Sequence, residues 1–362
     1  MSALVGLFWA AIAGAGWILI GYPLALRALP ARPWRSAEDE LPSVSIVVPG
    51  YRERETLPAK LRALAALDYP PELIEVLVPI DGDRELARLA QEAWPAATVL
   101  FSDERGGKAA GLNRALERAT GEVVVMTDAN NLLEPGSLRA AARHFADPSI
   151  WGVGGRRGET GSAYDRYEDM IRVAESRSGS VAAMSGEFMA VRRERMPRFP
   201  AGIVNDDFWL LCTLVRAGGR VVYEPLAASE EPPPSARGEV ARRSRMGAGR
   251  VMAAGELRGL PAGFAMRIVS HKLGRLALPF LLLACLLASL GLAGRPFYRA
   301  AAAAQLGAYG AGALAAAGVA PPGRLGKLCR GLGQFTLGNA AVAVGVVRGL
   351  RRQQSVVWDE VE

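Results

Sequence analysis

Long uncharged stretches lie at both ends of the chain, separated by a central region of mixed polarity. Residues 3–26 contain no charged side chain, and about 20 apolar residues are enough to span the ~30 Å hydrocarbon core of a bilayer. No basic segment precedes this stretch, which favours an uncleaved anchor over a secretory signal. Residues 276–294 form a second such stretch, 300–320 an Ala- and Gly-rich third, and 332–347 a shorter, more polar fourth. The pattern predicts membrane helices at both ends.

The orientation follows from the Lys and Arg residues beside these stretches, because cytoplasmic flanks are enriched in them. The cations that follow the first stretch and precede the second are Arg27, Arg32, Arg35, Arg267, Lys272 and Arg275. Both flanks belong to the central region, which is therefore predicted to be cytoplasmic, in an integral protein of the cell (inner) membrane. If the fourth stretch crossed, Arg348, Arg351 and Arg352 would lie outside, so residues 332–350 are predicted to lie at the interface or to re-enter without crossing.

Short apolar segments alternate with helical periodicity through the central region. Predicted strands cover 44–48, 74–80, 98–101 and 122–126, and predicted helices cover 54–67, 84–93 and 108–119. This alternation predicts an α/β fold with a mainly parallel, doubly wound, Rossmann-like sheet. A second half follows, with predicted strands at 151–155, 188–191 and 220–223, the last ended by Pro225, and predicted helices at 163–180 and 207–217.

Composition divides the chain into six parts. These are an N-terminal transmembrane anchor (1–29), a linker (30–42), the α/β domain (43–235), a basic amphipathic interface segment (236–272), two transmembrane helices (273–320), and an interfacial or re-entrant helix with a cytoplasmic tail (321–362). The formal net charge is +7. The membrane flanks supply most of it, and a cation beside anionic lipid is favoured by ~1 kcal/mol. No basic stripe with interleaved aromatic residues occurs, so a nucleic-acid partner is not expected.

Polar residues follow four of the predicted strands or open the next helix. They are residues 49–53, Asp81 to Asp83, residues 105–108, and Asp128 with Asn130. Each group alone is compatible with an ordinary turn. Parallel topology places all four at the same edge of the sheet, however, where ligands of open α/β sheets bind. An acid at Asp128 with the side-chain oxygen of Asn130 two residues later can hold a hard divalent cation against a phosphate.

Two charged clusters follow farther along the chain. Asp206 and Asp207 precede an amphipathic helix, where they either cap the helix or act as an acid pair whose mutual repulsion raises a proton affinity, as a general base requires. Arg242, Arg243 and Arg245 are either membrane-surface charge or guanidinium groups suited to a leaving pyrophosphate.

Taken in order, these segments resemble family 2 inverting glycosyltransferases, in the membrane-bound branch that includes poly-N-acetylglucosamine, hyaluronan and cellulose synthases. The matching segments are Val-Ser-Ile-Val-Val-Pro-Gly-Tyr-Arg-Glu (44–53), Asp81, Gly-Lys-Ala-Ala-Gly-Leu-Asn (107–113), Val-Met-Thr-Asp-Ala-Asn (125–130), Asp-Asp-Phe (206–208) and Arg-Arg-Ser-Arg (242–245). The resemblance covers about residues 43–285. It implies a GT-A fold and transfer of a sugar from a nucleotide-sugar donor, expected to be a UDP-sugar, to a lipid-linked or growing surface-glycan acceptor at the cytoplasmic membrane face.

The resemblance also implies roles for individual residues on the donor side. Pro49, Tyr51 and Glu53 would line the nucleoside pocket, and Asp81 would accept a hydrogen bond from the uracil N–H. Lys108 would lie near the donor. Asp128, with Asn130, would hold Mg²⁺ or Mn²⁺ on the diphosphate.

On the acceptor side, the resemblance makes Asp207 the base that deprotonates the acceptor hydroxyl, with Asp206 as the other acid of the pair. Arg242 and Arg245 would neutralise the departing nucleoside diphosphate.

Three features depart from the family pattern. Arg52 stands where the family usually has Asn, and Asn130 replaces the last acid of Asp-x-Asp. The Gln-x-x-Arg-Trp motif of processive synthases does not occur. Two alternatives therefore accompany the prediction: a processive polysaccharide synthase that needs no lipid-linked acceptor, and a degenerate membrane subunit that binds nucleotide without turnover.

Overall fold

Strands of the computed structural model, which describes residues 1–158, 163–203, 205–230 and 236–351, form one eight-stranded sheet. In chain order the strands are β1 (Val44–Val47), β2 (Ile74–Asp81), β3 (Thr98–Ser102), β4 (Val123–Met126), β5 (Leu132–Leu133), β6 (Ile150–Gly158), β7 (Met189–Arg192) and β8 (Arg220–Glu230). Their spatial order is β3-β2-β1-β4-β7-β6-β8-β5. The first four of this order are mutually parallel. The predicted mainly parallel sheet is confirmed.

The second half of the sheet changes direction at β7, which runs antiparallel to both β4 and β6. β8 is parallel to β6, and the short β5 closes the edge antiparallel to β8. The prediction that Pro225 ends the last strand is wrong. The β6–β8 register jumps from Gly155↔Glu224 to Arg156↔Ala228, so Pro225 lies in a bulge where no ladder N–H is required.

Helices cover both faces of the sheet, as the alternating pattern predicts. Within the central domain they are α3 (Thr56–Leu64), α4 (Arg84–Ala93), α5 (Gly107–Leu116), α6 (Ser137–Ala142), α7 (Ala163–Ser178), α8 (Asp206–Arg216) and α9 (Ala236–Met252). Alternate residues of β1 enter opposite cores: Ile46 packs with Leu57 and Leu61 of α3, whereas Val47 packs with Leu112 of α5 and Leu211 of α8. Successive side chains of β1 point to opposite faces of the sheet and so enter two separate hydrophobic layers.

Two of the described helices are long and apolar enough to cross a bilayer, judged by length and composition: Ser2–Ala28 and Ala262–Gly291. The first comprises α1 (Ser2–Gly16), a π-helical turn (Trp17–Gly21) and α2 (Tyr22–Ala28). The second comprises α10 (Ala262–Arg267), a π-helical turn (Ile268–Leu273) and α11 (Gly274–Gly291). Phe8 and Ala11 of α1 pack against Cys285 and Ala288 of α11.

Two further helices follow in the described part of the chain, α12 (Pro296–Ala316) and α13 (Gly323–Leu350). Neither is among the described helices that meet the membrane-span criterion, so the predicted crossing by residues 300–320 and the predicted interfacial position of residues 332–350 stay predictions. Residues from Arg352 onward lie outside the described residues.

Candidate active site

A cavity of about 760 Å³ opens at the carboxyl edge of β1 and β4 and extends to α9 and the Ala262–Gly291 helix. The predicted site residues that line it are Glu53, Asp128, Asn130, Asp207, Arg242 and Arg245. They come from segments scattered over almost two hundred positions of the chain, and the fold brings them to one cavity. Isolated turn and helix caps would not require this convergence.

Lys108 connects the predicted metal acid to the predicted acid pair. Its Nζ lies 2.9 Å from Asp128 Oδ1 and 2.9 Å from Asp206 Oδ2. Burial disfavours the charged ammonium, but the two carboxylates outweigh it and raise the pKa of Lys108. Lys108 therefore stays cationic and ties the end of β4 to the start of α8.

Glycine keeps the space above this pair open. A Cβ at Gly186 would lie 3.6 Å from Asp128 Oδ2 and 3.9 Å from Lys108 Nζ. A larger side chain would cover the Asp128 carboxylate, whereas glycine leaves room for a ligand to approach it.

The two adjacent acids at the start of α8 face different surroundings. Asp206 pairs with Lys108. Asp207 lines the cavity, and its Oδ1 accepts a hydrogen bond of 2.7 Å from the Phe208 N–H. Asp207 is thus the acid of the pair that can meet a substrate in the cavity, as a general base must.

The donor set for a metal is sparse. Asp128 and Asn130 both line the cavity, and the described part of the chain contains no group of three or more His, Cys, Asp or Glu side chains placed to hold an ion. Mg²⁺ is commonly bound by one or two carboxylates together with substrate phosphates. One carboxylate and one amide oxygen therefore suit a divalent cation that arrives with a diphosphate better than a protein cage formed in advance.

A second cavity of about 460 Å³ lies where the nucleoside is predicted. Tyr51 forms part of its wall, with the Arg105 guanidinium 4.3 Å from the ring centroid. Arg54 forms a bidentate pair with Asp83 at 2.9 and 3.0 Å, and this hydrogen bonding lowers the pKa of Asp83. The Tyr51 N–H donates to the Glu53 carboxylate. An aromatic ring beside guanidinium groups is a suitable surface for stacking a base.

Three predicted donor residues, Pro49, Asp81 and Lys108, do not line either of these cavities. Asp81 is buried; its Oδ2 accepts from the Gly107 N–H at 2.9 Å and its Oδ1 accepts from Arg114. Gly82 and Asp83 occupy the cavity wall instead. Asp81 thus holds the start of α5, and its predicted contact with uracil stays a prediction. Pro49 lies between β1 and the bridge that Gly50 makes to β2.

Arg52 adopts a left-handed backbone conformation, with φ of 67°, and is the one described non-glycine residue with positive φ. Asn tolerates this conformation better than other non-glycine residues, because its short amide can bond locally. The backbone thus explains why the family usually has Asn here, and Arg52 keeps the turn while adding a cation to both cavities.

Glycines of α13 hold the helix that carries the predicted diphosphate arginines. A Cβ at Gly345 would come within 2.3 Å of Ser244 O, and one at Gly349 within 2.8 Å of Ala248 O. Only glycine permits so close an approach of the two backbones. Arg242 and Arg245 of α9 are thereby presented to the cavity from a braced helix.

Sequence reasoning missed a buried polar network under the Asp128 loop. Lys60 of α3 is fully buried, and its Nζ donates to Thr127 Oγ1 at 2.8 Å and to Asn131 Oδ1 at 2.5 Å. Thr127 Oγ1 in turn donates to Glu187 O at 2.7 Å. Burial lowers the pKa of Lys60 to about 7. The available signal was a lysine on the apolar stripe that Leu57, Lys60, Leu61 and Leu64 form at helical spacing.

Sequence reasoning also missed the membrane end of the cavity. Its lining includes Glu168 and Arg172 of α7, Arg250 of α9, and His271, Lys272 and Arg275 of the Ala262–Gly291 helix. On the sequence, the α7 residues look like a solvated helix face, and Lys272 and Arg275 look like membrane-flank charges. No local pattern distinguishes these positions from ordinary surface charge.

Residues 42–249 match the family described as "Glycosyltransferase like family 2". This match covers more than half of the chain, which therefore belongs to glycosyltransferase family 2.

Several known proteins are similar to this chain. Glycosyltransferase AglE of Haloferax volcanii is 28% identical over 141 residues, which is 37% of this chain and 46% of that protein. Poly-beta-1,6-N-acetyl-D-glucosamine synthase of Staphylococcus aureus is 25% identical over 206 residues, or 52% of this chain and 50% of the synthase. Cellulose synthase 1 catalytic subunit (UDP-forming) of Komagataeibacter xylinus is 36% identical over 107 residues, or 29% and 13%. The chain thus spans half or less of these curated relatives.

One solved structure is similar over nearly the whole chain. It is a mannosyltransferase of Pyrobaculum calidifontis in complex with GDP-Man and Mn²⁺, with a TM-score of 0.78 and 27% identity over 97% of this chain and 100% of that one. The similarity confirms the GT-A fold.

Proposed function

We propose that this protein is an inverting glycosyltransferase that moves a sugar from a nucleoside diphosphate donor to a lipid-linked or glycan acceptor at the cytoplasmic face of the cell membrane. The observation that carries the proposal is the single cavity that contains Asp128, Asp207 and the two arginines Arg242 and Arg245. A metal-side acid, a candidate base and diphosphate cations are the groups that such a transfer needs.

In this reaction Asp207 takes the proton from the acceptor hydroxyl, and the resulting oxygen attacks the anomeric carbon in line with the departing nucleoside diphosphate. One glycosidic bond forms as the bond to the diphosphate breaks, so the anomeric configuration inverts. Arg242 and Arg245 hold the diphosphate and neutralise its charge. Lys108 keeps Asp128 and Asp206 in place beneath it.

Asp128 and Asn130 would hold a divalent cation, Mg²⁺ or Mn²⁺. When bound, such an ion neutralises developing charge on the leaving diphosphate. The mannosyltransferase structure that resembles this chain contains Mn²⁺, which supports a divalent metal without choosing between the two ions.

The donor sugar and base belong to the proposal as well. The family resemblance implies a UDP-sugar, and the cellulose synthase relative is UDP-forming. The mannosyltransferase, however, is in complex with GDP-Man. Donors with either base must therefore be compared directly.

A membrane acceptor is supported by the route of the cavity. Lys272 and Arg275 line it, and the apolar stretch of α11 begins directly after them. An acceptor sugar carried on a lipid can reach Asp207 from this side while its hydrophobic chain stays in the bilayer. Similarity to cellulose and poly-N-acetylglucosamine synthases keeps processive synthesis as the second candidate.

The full-length protein, purified in lipid nanodiscs, tests the proposal. It is incubated with UDP- and GDP-linked sugars, Mg²⁺ or Mn²⁺, and a membrane lipid extract, and nucleoside diphosphate release and lipid mass are measured. We expect metal-dependent release and a lipid product heavier by one sugar. Long glycan products would favour the processive synthase, and nucleotide binding without release with every donor would favour a non-catalytic subunit.

A further inference from the structure

The membrane end of the cavity carries more positive charge than the nearby carboxylates can pair. Its cations are Arg172, Arg250, Lys272 and Arg275, together with the His271 ring, and the carboxylates that face it are Glu168 and Asp207. These groups come from α7, α8, α9 and the Ala262–Gly291 helix, so four separate elements converge on the same space.

Glu168 is already shared among three of these neighbours. It forms an ion pair with Arg275, lies 3.7 Å from Arg172 and lies 3.4 Å from His271 Nε2. The other ring nitrogen of His271, Nδ1, contacts Glu175 at 3.0 Å, and Glu175 also accepts from Tyr22. Glu168 and Glu175 therefore belong to an internal network that ties α7 to the two membrane-segment helices.

Lys272 and Arg250 are outside that network. Among the described residues, neither side chain forms a hydrogen bond, and neither has a carboxylate within 4 Å, although Lys272 is only 5% exposed. The Lys272 ammonium lies 4.7 Å from the Phe208 ring centroid, a contact that supplies no counter-charge. Burial lowers the pKa of Arg250. Taking such ions out of water without a partner is unfavourable.

Asp207 is the acid whose charge acts on both Arg250 and Lys272, whereas Glu168, which is already paired with Arg275, acts only on Arg250. One carboxylate leaves a positive excess beside two cations, and Asp207 faces the reacting hydroxyl under the proposed function. A ligand must therefore supply the remaining negative charge.

The position of the excess positive charge indicates which ligand can supply the counter-charge. Asp128, Asn130 and the α9 arginines define the donor end of the cavity, whereas Lys272 lies four residues before the apolar run of α11 that starts at Leu276. Lipid phosphates lie at the level where an apolar helix leaves the hydrocarbon. The ligand of Arg250 and Lys272 is therefore expected from the bilayer side.

We propose that Arg250 and Lys272 form a phosphate subsite for the acceptor, which would be a sugar carried on a long-chain isoprenoid phosphate or diphosphate. This proposal rests on the proposed function and names its acceptor class. The subsite would hold the lipid phosphate at the membrane end of the cavity and place the attached sugar at Asp207.

Binding of decaprenyl phosphate and of decaprenol to the full-length protein in phosphatidylcholine nanodiscs tests the proposal. We expect decaprenyl phosphate to bind at least ~10-fold more tightly than decaprenol, since the alcohol cannot form the charged hydrogen bonds that a phosphate forms with Arg250 and Lys272. Lys272→Met and Arg250→Met should each remove most of that preference. Arg258→Met is the matched control, because Arg258 is an exposed cation that does not line the cavity. Equal binding of the alcohol and the phosphate would overturn the proposal.

Two further readouts separate this subsite from the donor site and from a folding defect. Binding of UDP and GDP with Mg²⁺ should change less than ~2-fold in Lys272→Met; a loss comparable to that of decaprenyl phosphate would assign the cations to the donor diphosphate instead. Without lipid phosphate, Lys272→Met should melt at a higher temperature than the wild type, because it removes an unpaired buried charge. A lower melting temperature would show that Lys272 is structural.

Phospholipid head groups are the competing source of phosphate. Nanodiscs that contain phosphatidylglycerol should compete weakly with decaprenyl phosphate if the subsite serves the acceptor. Full competition by phosphatidylglycerol would make the site a lipid anchor and overturn the acceptor assignment. All of these experiments measure binding or melting, so their results can be interpreted even if no sugar transfer is observed.

Discussion

The two ends of the cavity are built from different kinds of structure. The donor end consists of loops that follow parallel strands, with Asp128 after β4 and Glu53 after β1, together with Arg242 and Arg245 of α9. The membrane end consists of side chains from the faces of four helices, among them Arg250 and Lys272. In an open α/β sheet, polar residues at the carboxyl end of a strand lie at the edge where ligands bind. A charged helix face can meet solvent, lipid or ligand, and its sequence pattern is the same in all three cases.

The comparison predicts that the two ends respond separately to mutation. Changes at the donor end should alter nucleotide and metal binding, changes at the membrane end should alter acceptor binding, and changes at Asp207 between them should alter the chemical step.

The largest effect is expected at Asp207, where the two ends meet. Asp207→Asn should lower kcat by ~10²–10⁴-fold, the usual contribution of a general base, while nucleoside diphosphate affinity stays within ~2-fold. Steady-state kinetics and calorimetry measure the two quantities. Asp206→Asn is the matched comparison, since it removes the ion pair with Lys108. If Asp206→Asn alone abolished the chemical step, the base assignment would pass to Asp206.

The next largest effect should appear at the donor end. Asp128→Asn removes the one carboxylate of the predicted metal pair and should weaken metal-dependent nucleotide binding by about 100-fold, since even residues that only support metal ligands are worth 10–100-fold. Titration of UDP or GDP with and without Mn²⁺ measures this. Decaprenyl phosphate binding should be unchanged, and a parallel loss of both ligands would show that the two ends are not independent.

Lys60 should give the donor end a pH-dependent stability. Its pKa is lowered from 10.5 to about 7 by burial, with Asp128 and Glu187 opposing the shift. Between these values the unfolded chain holds the proton and the folded chain has lost it, so stability should rise with pH from about 7 to 10.5, by up to ~1.4 kcal/mol per pH unit.

Thermal unfolding of wild type and Lys60→Met between pH 7 and 9.5 measures that slope. The wild type should gain stability relative to Lys60→Met as the pH rises. Arg62→Met, on the exposed side of the same helix, is the control and should keep the wild-type slope. Parallel curves for the wild type and Lys60→Met would rule out titration of Lys60.

The smallest effect is expected at Arg52. Its φ of 67° strains an Arg backbone by ~1–2 kcal/mol, whereas Asn and Gly adopt this region more easily. Arg52→Asn should therefore raise the melting temperature slightly and leave the cavity intact. A lower melting temperature would mean that the Arg52 side chain stabilises the fold by more than its backbone strain.

The donor end of the cavity could be predicted from the sequence better than the membrane end. Val44–Val47 and Val123–Met126 are buried on both faces and carry their polar residues to a shared edge, so Asp128 could be placed without a structure. The continuation of β8 past Pro225 could not be predicted, because a bulge accommodates a proline that a regular ladder does not. Asp81 was placed at the correct edge, but its contacts with Gly107 and Arg114 depend on a turn that no periodicity specifies.

Lys272 and Arg275 show most clearly why the membrane end could not be predicted. Both residues satisfy the rule for cytoplasmic flank charges, and that rule concerns only their position along the chain. Whether such a side chain points to lipid head groups or into a cavity is decided by the packing of the Ala262–Gly291 helix, where Phe264 and Ile268 enter the core of the α/β domain. That information is tertiary.

The glycine contact between α9 and α13 has a consequence for biosynthesis. α13 spans 28 residues near the end of the chain, whereas the arginines that it braces are translated roughly a hundred residues earlier. Because chains fold from the N-terminus as they emerge from the ribosome, the α/β sheet can form while α9 still lacks its support. α13, which is translated after α9, thus completes the cavity, and a premature stop codon before α13 would leave a folded sheet with misplaced arginines.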